Sequence, residues 1–342
     1  MNKIQKKRLL WQIPFLVLLI VGTIFVIRQR ISMPYQHTED FIFGTTYQIT
    51  YQYDIDLRDS IKAQLLKVDN SLSPFNEESV ISAINYNQSA KPDKMFLDVF
   101  RQAMEISRET NGAFDITVAP LVNAWGFGFQ EVSMPSPRQV DSLKAIVGYQ
   151  KLSLVNGVIR KEDPRMMIDC SAIAKGYGVD VVANYLRSRG VENFMIEIGG
   201  EIVAQGVNPK RRPWRIGVTK PTEDTLNVES RKLQTILNVD NVAMATSGNY
   251  RNFYYKGGKR YAHTIDPHTG YPVQHNILSA TVLAKSCMVA DAYATSFMVM
   301  GLDGAKEILR KHPDLMAYLI YDDGHGGNGV WFSPSLKDRI AK

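Results

Sequence analysis

Residues 171–206 read SAIAKGYGVDVVANYLRSRGVENFMIEIGGEIVAQG, and this stretch decides the fold. Ile173, Tyr177, Val181 and Tyr185 recur at four-residue steps, which predicts a helix over 171–189 that Gly190 stops. Two short strands follow, FMIEI and EIVAQG, joined at Gly199-Gly200. Working outward, apolar residues at Ile61, Leu65, Val68 and Leu72 predict a helix over 59–72. A second helix is expected over 93–110, with Phe96, Val99, Phe100, Ala103 and Ile106 on one side and Asn111-Gly112 as its C-terminal stop. Residues 137–147 look helical, and LSLVNGVIRK reads as a hairpin turning at Asn156-Gly157. FIFGTTYQITYQY alternates from Phe43 onward and reads as a first strand. Further strands are expected over 214–218 and 234–239, and helices over 289–300 and 304–311. Helices and strands mix without a regular βαβ beat. The expected class is α+β, with mixed or antiparallel sheets and packed helices.

The chain has 342 residues, 45% hydrophobic and 22% charged, an ordinary globular balance with ample material for a core. Its net charge of +6 owes much to Lys3, Lys6, Lys7, Arg8, Arg28 and Arg30. No basic run with interleaved aromatics occurs, which argues against a nucleic-acid partner. Two cysteines, Cys170 and Cys287, are too few for a disulfide framework or a zinc site. Residues 9–27, LLWQIPFLVLLIVGTIFVI, carry no charge and approach the roughly 20 residues that cross a bilayer. The run exceeds a usual signal core, and no small-residue cleavage site follows it. A retained single-pass anchor is expected, and the basic flank Lys3, Lys6, Lys7 and Arg8 keeps the N-terminus cytoplasmic. In a bacterium that places the body on the periplasmic or outer face of the inner membrane. The polar stretch ISMPYQHTED, 31–40, reads as a linker.

Five dense clusters mix glycine with a few polar groups: 112–128 GAFDITVAPLVNAWGFG, 168–180 IDCSAIAKGYGVD, 197–201 EIGGE, 245–253 ATSGNYRNF with 261–273 YAHTIDPHTGYPV, and 290–295 ADAYAT. Asp291 and Thr295 sit four apart and share a helix face, a carboxylate and a hydroxyl that suit magnesium. Spacing alone favours a plainer reading, in which Asp291 caps the helix and Thr295 bonds back to it. His263 stands out among six histidines because Thr264, Asp266 and Thr269 share its turn, whereas His268, His275, His312 and His325 read as surface residues. Asp169 and Lys175 bracket the start of the 171–189 helix. Ser171 is a natural cap there, and the same helix end with Lys175 also attracts phosphate. Neither a P-loop nor a Rossmann glycine motif is present.

Taken in order, the clusters resemble the ApbE-type FAD:protein FMN transferase family over roughly residues 41–335. The resemblance implies an α+β fold with a flavin cleft and a magnesium-dependent reaction. FAD is split and FMN passes to a threonine or serine of an acceptor flavoprotein through a phosphoester bond, releasing AMP. It implies a metal held by Asp291, Thr295 and the Ala172 carbonyl, and FAD contacts from Phe43, Phe75, Ala113, Phe114, Asp115, Asp169, Lys175 and Ile265. His263 matches the histidine implicated in catalysis. Subunits of Rnf-type or Nqr-type redox pumps are the kind of acceptor the resemblance suggests. Two alternatives stand beside it, an FAD pyrophosphatase using water as acceptor and a non-catalytic flavin-binding module. The chain then divides into a basic N-terminus (1–8), anchor (9–27), linker (28–40), catalytic domain (41–335) and tail (336–342). Some positions depart from the family pattern. Phe43 replaces a methionine, Phe75 a tyrosine, Cys170 a leucine, His268 an arginine and Asn249 an aspartate.

Overall fold

The computed structural model describes residues 3–88, 91–128, 134–221, 233–249, 253–274, 276–325 and 327–341. His275 and residues 250–252 of the 245–253 cluster lie outside that set.

Helix α1 (Lys3–Ser32) is followed by strands β1 (Tyr35–Ile42) and β2 (Thr45–Gln52). This corrects the sequence reading twice. The stretch taken as a linker is mostly β1, and Phe43-Gly44 is the turn of a hairpin rather than the start of a strand. Both turn residues are left-handed, φ 52° and 74°, as a two-residue hairpin loop requires. Helices α2 (Arg58–Leu72), α3 (Val80–Asn85), α4 (Lys94–Glu109), α5 (Ala119–Ala124) and α6 (Pro137–Lys144) come next. Asp93 caps α4 by accepting from the Phe96 amide. A hairpin, β3 (Leu152–Val155) with β4 (Val158–Lys161), turns at Asn156-Gly157 as expected.

Helix α7 (Ala174–Ser188) starts later than its apolar spacing implied, with Ile173 rather than Ser171 as its N-cap. It leads into β5 (Phe194–Ile198) and β6 (Glu201–Gln205), which pair antiparallel around left-handed Gly199 and Gly200. Strands β7 (Trp214–Thr219) and β8 (Leu233–Val239) form a separate ribbon. Then come β9 (Val242–Gly248), the β10 (Phe253–Lys256) and β11 (Lys259–Ala262) hairpin, and β12 (Ile277–Ala284). Helix α8 (Cys287–Lys311) replaces the two helices expected, continuing across a break at Gly301, φ 72° and ψ 179°. Strands β13 (Met316–Asp322) and β14 (Asn328–Phe332) follow.

One eight-stranded sheet organises the molecule, in the order β1-β2-β5-β6-β9-β12-β13-β14, with every neighbouring pair antiparallel. Its central strands are covered on both faces. Val203, Ala243, Val282 and Leu319 point toward α2, α4, α7 and α8. Ile202, Ala204, Met244, Leu283 and Ile320 point the other way, onto Trp214 and Val218 of β7, Leu237 of β8 and Leu336. The result is three layers, helices on sheet on ribbon, and the α+β class is correct.

The expected membrane span falls on α1. Among the described residues no helix is long and apolar enough to cross a membrane. Of the span 9–27, the side chains of Leu9, Leu10, Trp11, Phe25 and Ile27 lie outside that set.

Candidate active site

A cleft of about 800 Å³ opens where α7 and α8 meet the β1–β2 turn and the loops around residues 113–123 and 263–267. Its polar floor comes from the two helices. Gly176 of α7 has no side chain because none fits: a Cβ there would run into the Cys287 carbonyl of α8. At that contact the Gly176 amide donates to Asp291 Oδ2 at 3.0 Å. Asp291 is buried, with 2% of its surface exposed. It is not the helix cap, since Ser286 takes that place with its side chain on the Val289 amide. Nor does Thr295 bond back to its helix. Its hydroxyl meets Ser247 Oγ of β9 at 3.1 Å, and the neighbouring Ser296 makes the back-bond to Ala292. The plainer reading of this pair therefore fails on both counts.

Lys175 and Glu201 complete the floor. Lys175 Nζ lies 3.4 Å from Glu201 Oε1, while Glu201 Oε2 is buried without a hydrogen-bond partner among the described residues. Burial pushes the Glu201 carboxyl up to about 8, against the pull of Lys175. Burial also raises Asp291, again with Lys175 opposing. For Lys175 burial disfavours the charge, yet the two carboxylates outweigh it and hold the ammonium protonated. Two buried carboxyl groups, both pushed toward their neutral forms, thus face one buried cation, and a Glu201 oxygen is left over among the described residues. A further positive charge in the site would favour their ionised forms. Among the described residues no cluster of three or more His, Cys, Asp and Glu could cage a metal. The cleft instead lines up Asp291, Thr295 and Ala172, a carboxylate, a hydroxyl and a carbonyl. Magnesium is held in that style, by one or two carboxylates with waters and substrate phosphates completing its shell, so the donor set fits.

The walls are apolar and aromatic. Phe43 sits in its strained turn with its ring against Gly178, where even a Cβ would collide. Phe75 is 70% exposed and lines the opening, and Phe114 and Ile265 are buried in the walls. Asp115 is largely occupied in bracing its own loop. Its oxygens accept from the Thr117 amide and hydroxyl and from the Tyr149 amide, at 2.6–2.8 Å. Asp169 likewise accepts from the amide and hydroxyl of Ser171, which explains why Ser171 is not a helix cap. His263 lines the cleft, half-buried, 6.4 Å from the Phe127 ring in an edge-on arrangement. Its neighbour Thr264 donates to Asn249 Oδ1 at 2.7 Å, so asparagine serves this turn where the family pattern has aspartate. His268 is held by Asp266 and the Asn111 carbonyl, a tie between loops rather than a bare surface residue.

All twelve residues singled out from the sequence line this one cleft. Glu201 was missed, although its cluster was noticed; the signal was a carboxylate directly after a Gly-Gly turn inside an otherwise apolar strand. Ser247 was missed as well. Cys170 and Cys287 are buried free thiols, with no disulfide between them.

The comparisons agree with the geometry. The ApbE family model matches residues 43–320. A FAD:protein FMN transferase of Vibrio cholerae is 41% identical over 317 residues, covering 90% of this chain and 93% of that one. One from Escherichia coli K12 is 35% identical, covering 82% and 81%. Among solved structures, the flavin transferase ApbE from Vibrio cholerae superposes with a TM-score of 0.82 at 36% identity, over 90% of this chain and 99% of that one. The apo flavinyl transferase ApbE of Pseudomonas stutzeri gives 0.80 at 29% identity, over 90% and 97%. Sequence, fold and cleft agree, and the chain belongs to the ApbE family.

Proposed function

We propose that this chain is a FAD:protein FMN transferase. The observation that carries the reading is the α7–α8 floor, where Lys175, Asp291 and Thr295 stand beside an unpaired Glu201 oxygen under an apolar, aromatic wall. The wall suits an isoalloxazine or adenine ring, and the floor suits a pyrophosphate. In the reaction, a threonine or serine hydroxyl of the acceptor attacks the FMN phosphorus of FAD. A new phosphoester bond forms, the pyrophosphate bridge breaks, and AMP leaves with the bridging oxygen.

Phosphoryl transfer asks a protein chiefly for in-line placement and charge neutralisation. Lys175 supplies a fixed positive charge to the phosphates. Asp291, Thr295 and the Ala172 carbonyl would hold Mg²⁺, which when bound would neutralise negative charge on the phosphates. Phe43, Phe75, Ala113, Phe114, Asp115, Asp169 and Ile265 orient FAD, and His263 takes the hydroxyl proton. The test is intact mass after incubation with FAD, Mg²⁺ and a candidate acceptor, such as a subunit of an Rnf-type or Nqr-type pump. An FMN-sized increment on the acceptor supports transfer. Release of FMN and AMP with an unmodified acceptor would make the chain a pyrophosphatase instead.

We also propose that α1 anchors the enzyme in the inner membrane, with the body outside the cytoplasm. Residues 12–24 are exposed, including Phe15, Leu18 and Val21, and among the described residues none of α1 joins the hydrophobic clusters. A contiguous apolar surface of that kind normally marks a membrane or protein partner. In fractionated cells the full chain is expected in the membrane pellet, and protease should digest the body in intact spheroplasts. Recovery of the full chain in the soluble fraction would rule this out.

A further inference from the structure

Helices α7 and α8 are joined by two rungs, one turn apart on each. The inner rung is the Gly176 amide on Asp291. The outer rung is Asp180, a residue the transferase reading leaves without a role. Its Oδ1 accepts from the Cys287 amide at 2.9 Å, and its Oδ2 from the Met288 amide at 2.9 Å and the Ser286 hydroxyl at 2.7 Å. One carboxylate thus takes up two of the open amides that begin α8, together with its capping hydroxyl, and complements the positive end of the helix. Gly176 brings the α7 backbone against the same Cys287-Met288 backbone, so the first turn of α8 is held to α7 by the Asp180 bonds and by close packing together.

We propose that Asp180 is a positioning residue for the metal and phosphate site: by pinning the N-terminus of α8 to α7, it fixes the Asp291–Thr295 pair against the Ala172 carbonyl. The inference rests on the transferase reading of the cleft. Asp180 does not line the cleft itself, so it acts only through the donors it places.

The test compares the full-length protein with Asp180→Asn, Ser286→Ala and Leu336→Ala. Leu336 is a core residue on the opposite face of the sheet, so its variant is a control for lost stability. Mn²⁺ binding is followed by electron paramagnetic resonance of the free ion, and FAD binding by fluorescence in EDTA. Asp180→Asn is expected to weaken Mn²⁺ binding by about 10-fold or more, the size typical of losing a group that orients metal ligands, with metal-free FAD affinity unchanged. Ser286→Ala, which keeps both amide bonds, should weaken it less but measurably. Leu336→Ala should lower the melting temperature and leave Mn²⁺ affinity alone. Wild-type Mn²⁺ affinity in Asp180→Asn would overturn the proposal, leaving Asp180 a stabilising residue only. Should Asp180→Asn not fold, unchanged affinity in Ser286→Ala would overturn it equally. If the wild type itself binds no Mn²⁺, the metal reading fails and this inference falls with it.

Discussion

Replacing Asp291 with alanine is expected to slow FMN transfer by on the order of 10³-fold at saturating FAD, about 4 kcal/mol of lost transition-state stabilisation. The carboxylate is the one charged donor in the proposed metal set, and it is buried against Lys175 rather than exposed to water that could replace it. The fold should survive. In the metal-free chain Lys175 already has Glu201 at 3.4 Å, so losing Asp291 leaves a balanced pair and not a stranded cation. Thermal denaturation in EDTA should therefore show the variant folded and only modestly less stable than the wild type, because the Gly176 amide loses its acceptor, while the gain on adding Mg²⁺ disappears. Thr295→Ala should cost less, because water can stand in for a neutral hydroxyl. Full magnesium-dependent activity in Asp291→Ala would refute the assignment.

His263→Ala is expected to reduce single-turnover transfer about 10²–10⁴-fold while FAD binds with near-normal affinity. The acceptor hydroxyl must shed its proton as it attacks, and imidazole is the side chain best matched to neutral pH for that task. His263 lines the cleft two residues before Ile265, and its turn is fixed by Thr264 on Asn249 and by the Ile265–Pro272 bridge. A residue that only binds the cofactor would behave differently, weakening FAD affinity and recovering its rate when FAD is in excess. Fluorescence titration of FAD beside rapid-quench transfer separates the two, and recovery at high FAD would eliminate His263 as the base.

Most elements that could be read from the sequence have one wet face; β6, buried on both sides, was read from the Gly199-Gly200 turn before it. Helix α4 buries Phe96, Val99, Phe100, Ala103, Ile106 and Ser107 and turns Lys94, Arg101, Glu105 and Arg108 outward, so its period is plain. Strands β9 and β12 are covered on both sides, and VAMATSG and ILSATVLA carry no alternation to detect. These two unread strands are the middle of the sheet. Helix α8 is buried nearly all round and crosses Gly301, which in a sequence looks like a stop. At the site, the residues were legible but their reasons were not. Asp291 and Thr295 could be paired by spacing, yet only the cap at Ser286 and the contact to Ser247 show what they are free to do. Glu201 offered only a carboxylate after a Gly-Gly turn, too little to single it out, because its importance lies in facing Lys175 from another element.

The sheet order has a consequence for how the chain comes together. Strand β2 finds its inner neighbour only at β5, so Tyr47 and Ile49 wait for Ile198 and Ile196 across the whole of α2 to α7. Contacts so distant in sequence carry a large loop-closure cost and form slowly. Until residues 194–198 arrive, the β1–β2 hairpin has an open edge, a template for wrong partners during synthesis. The cleft draws Phe43 from that hairpin, Lys175 from α7, Glu201 from β6 and Thr295 from α8. No fragment of the chain holds a working site. Activity regained after denaturation should therefore lag behind the recovery of helical signal and report the last contacts made.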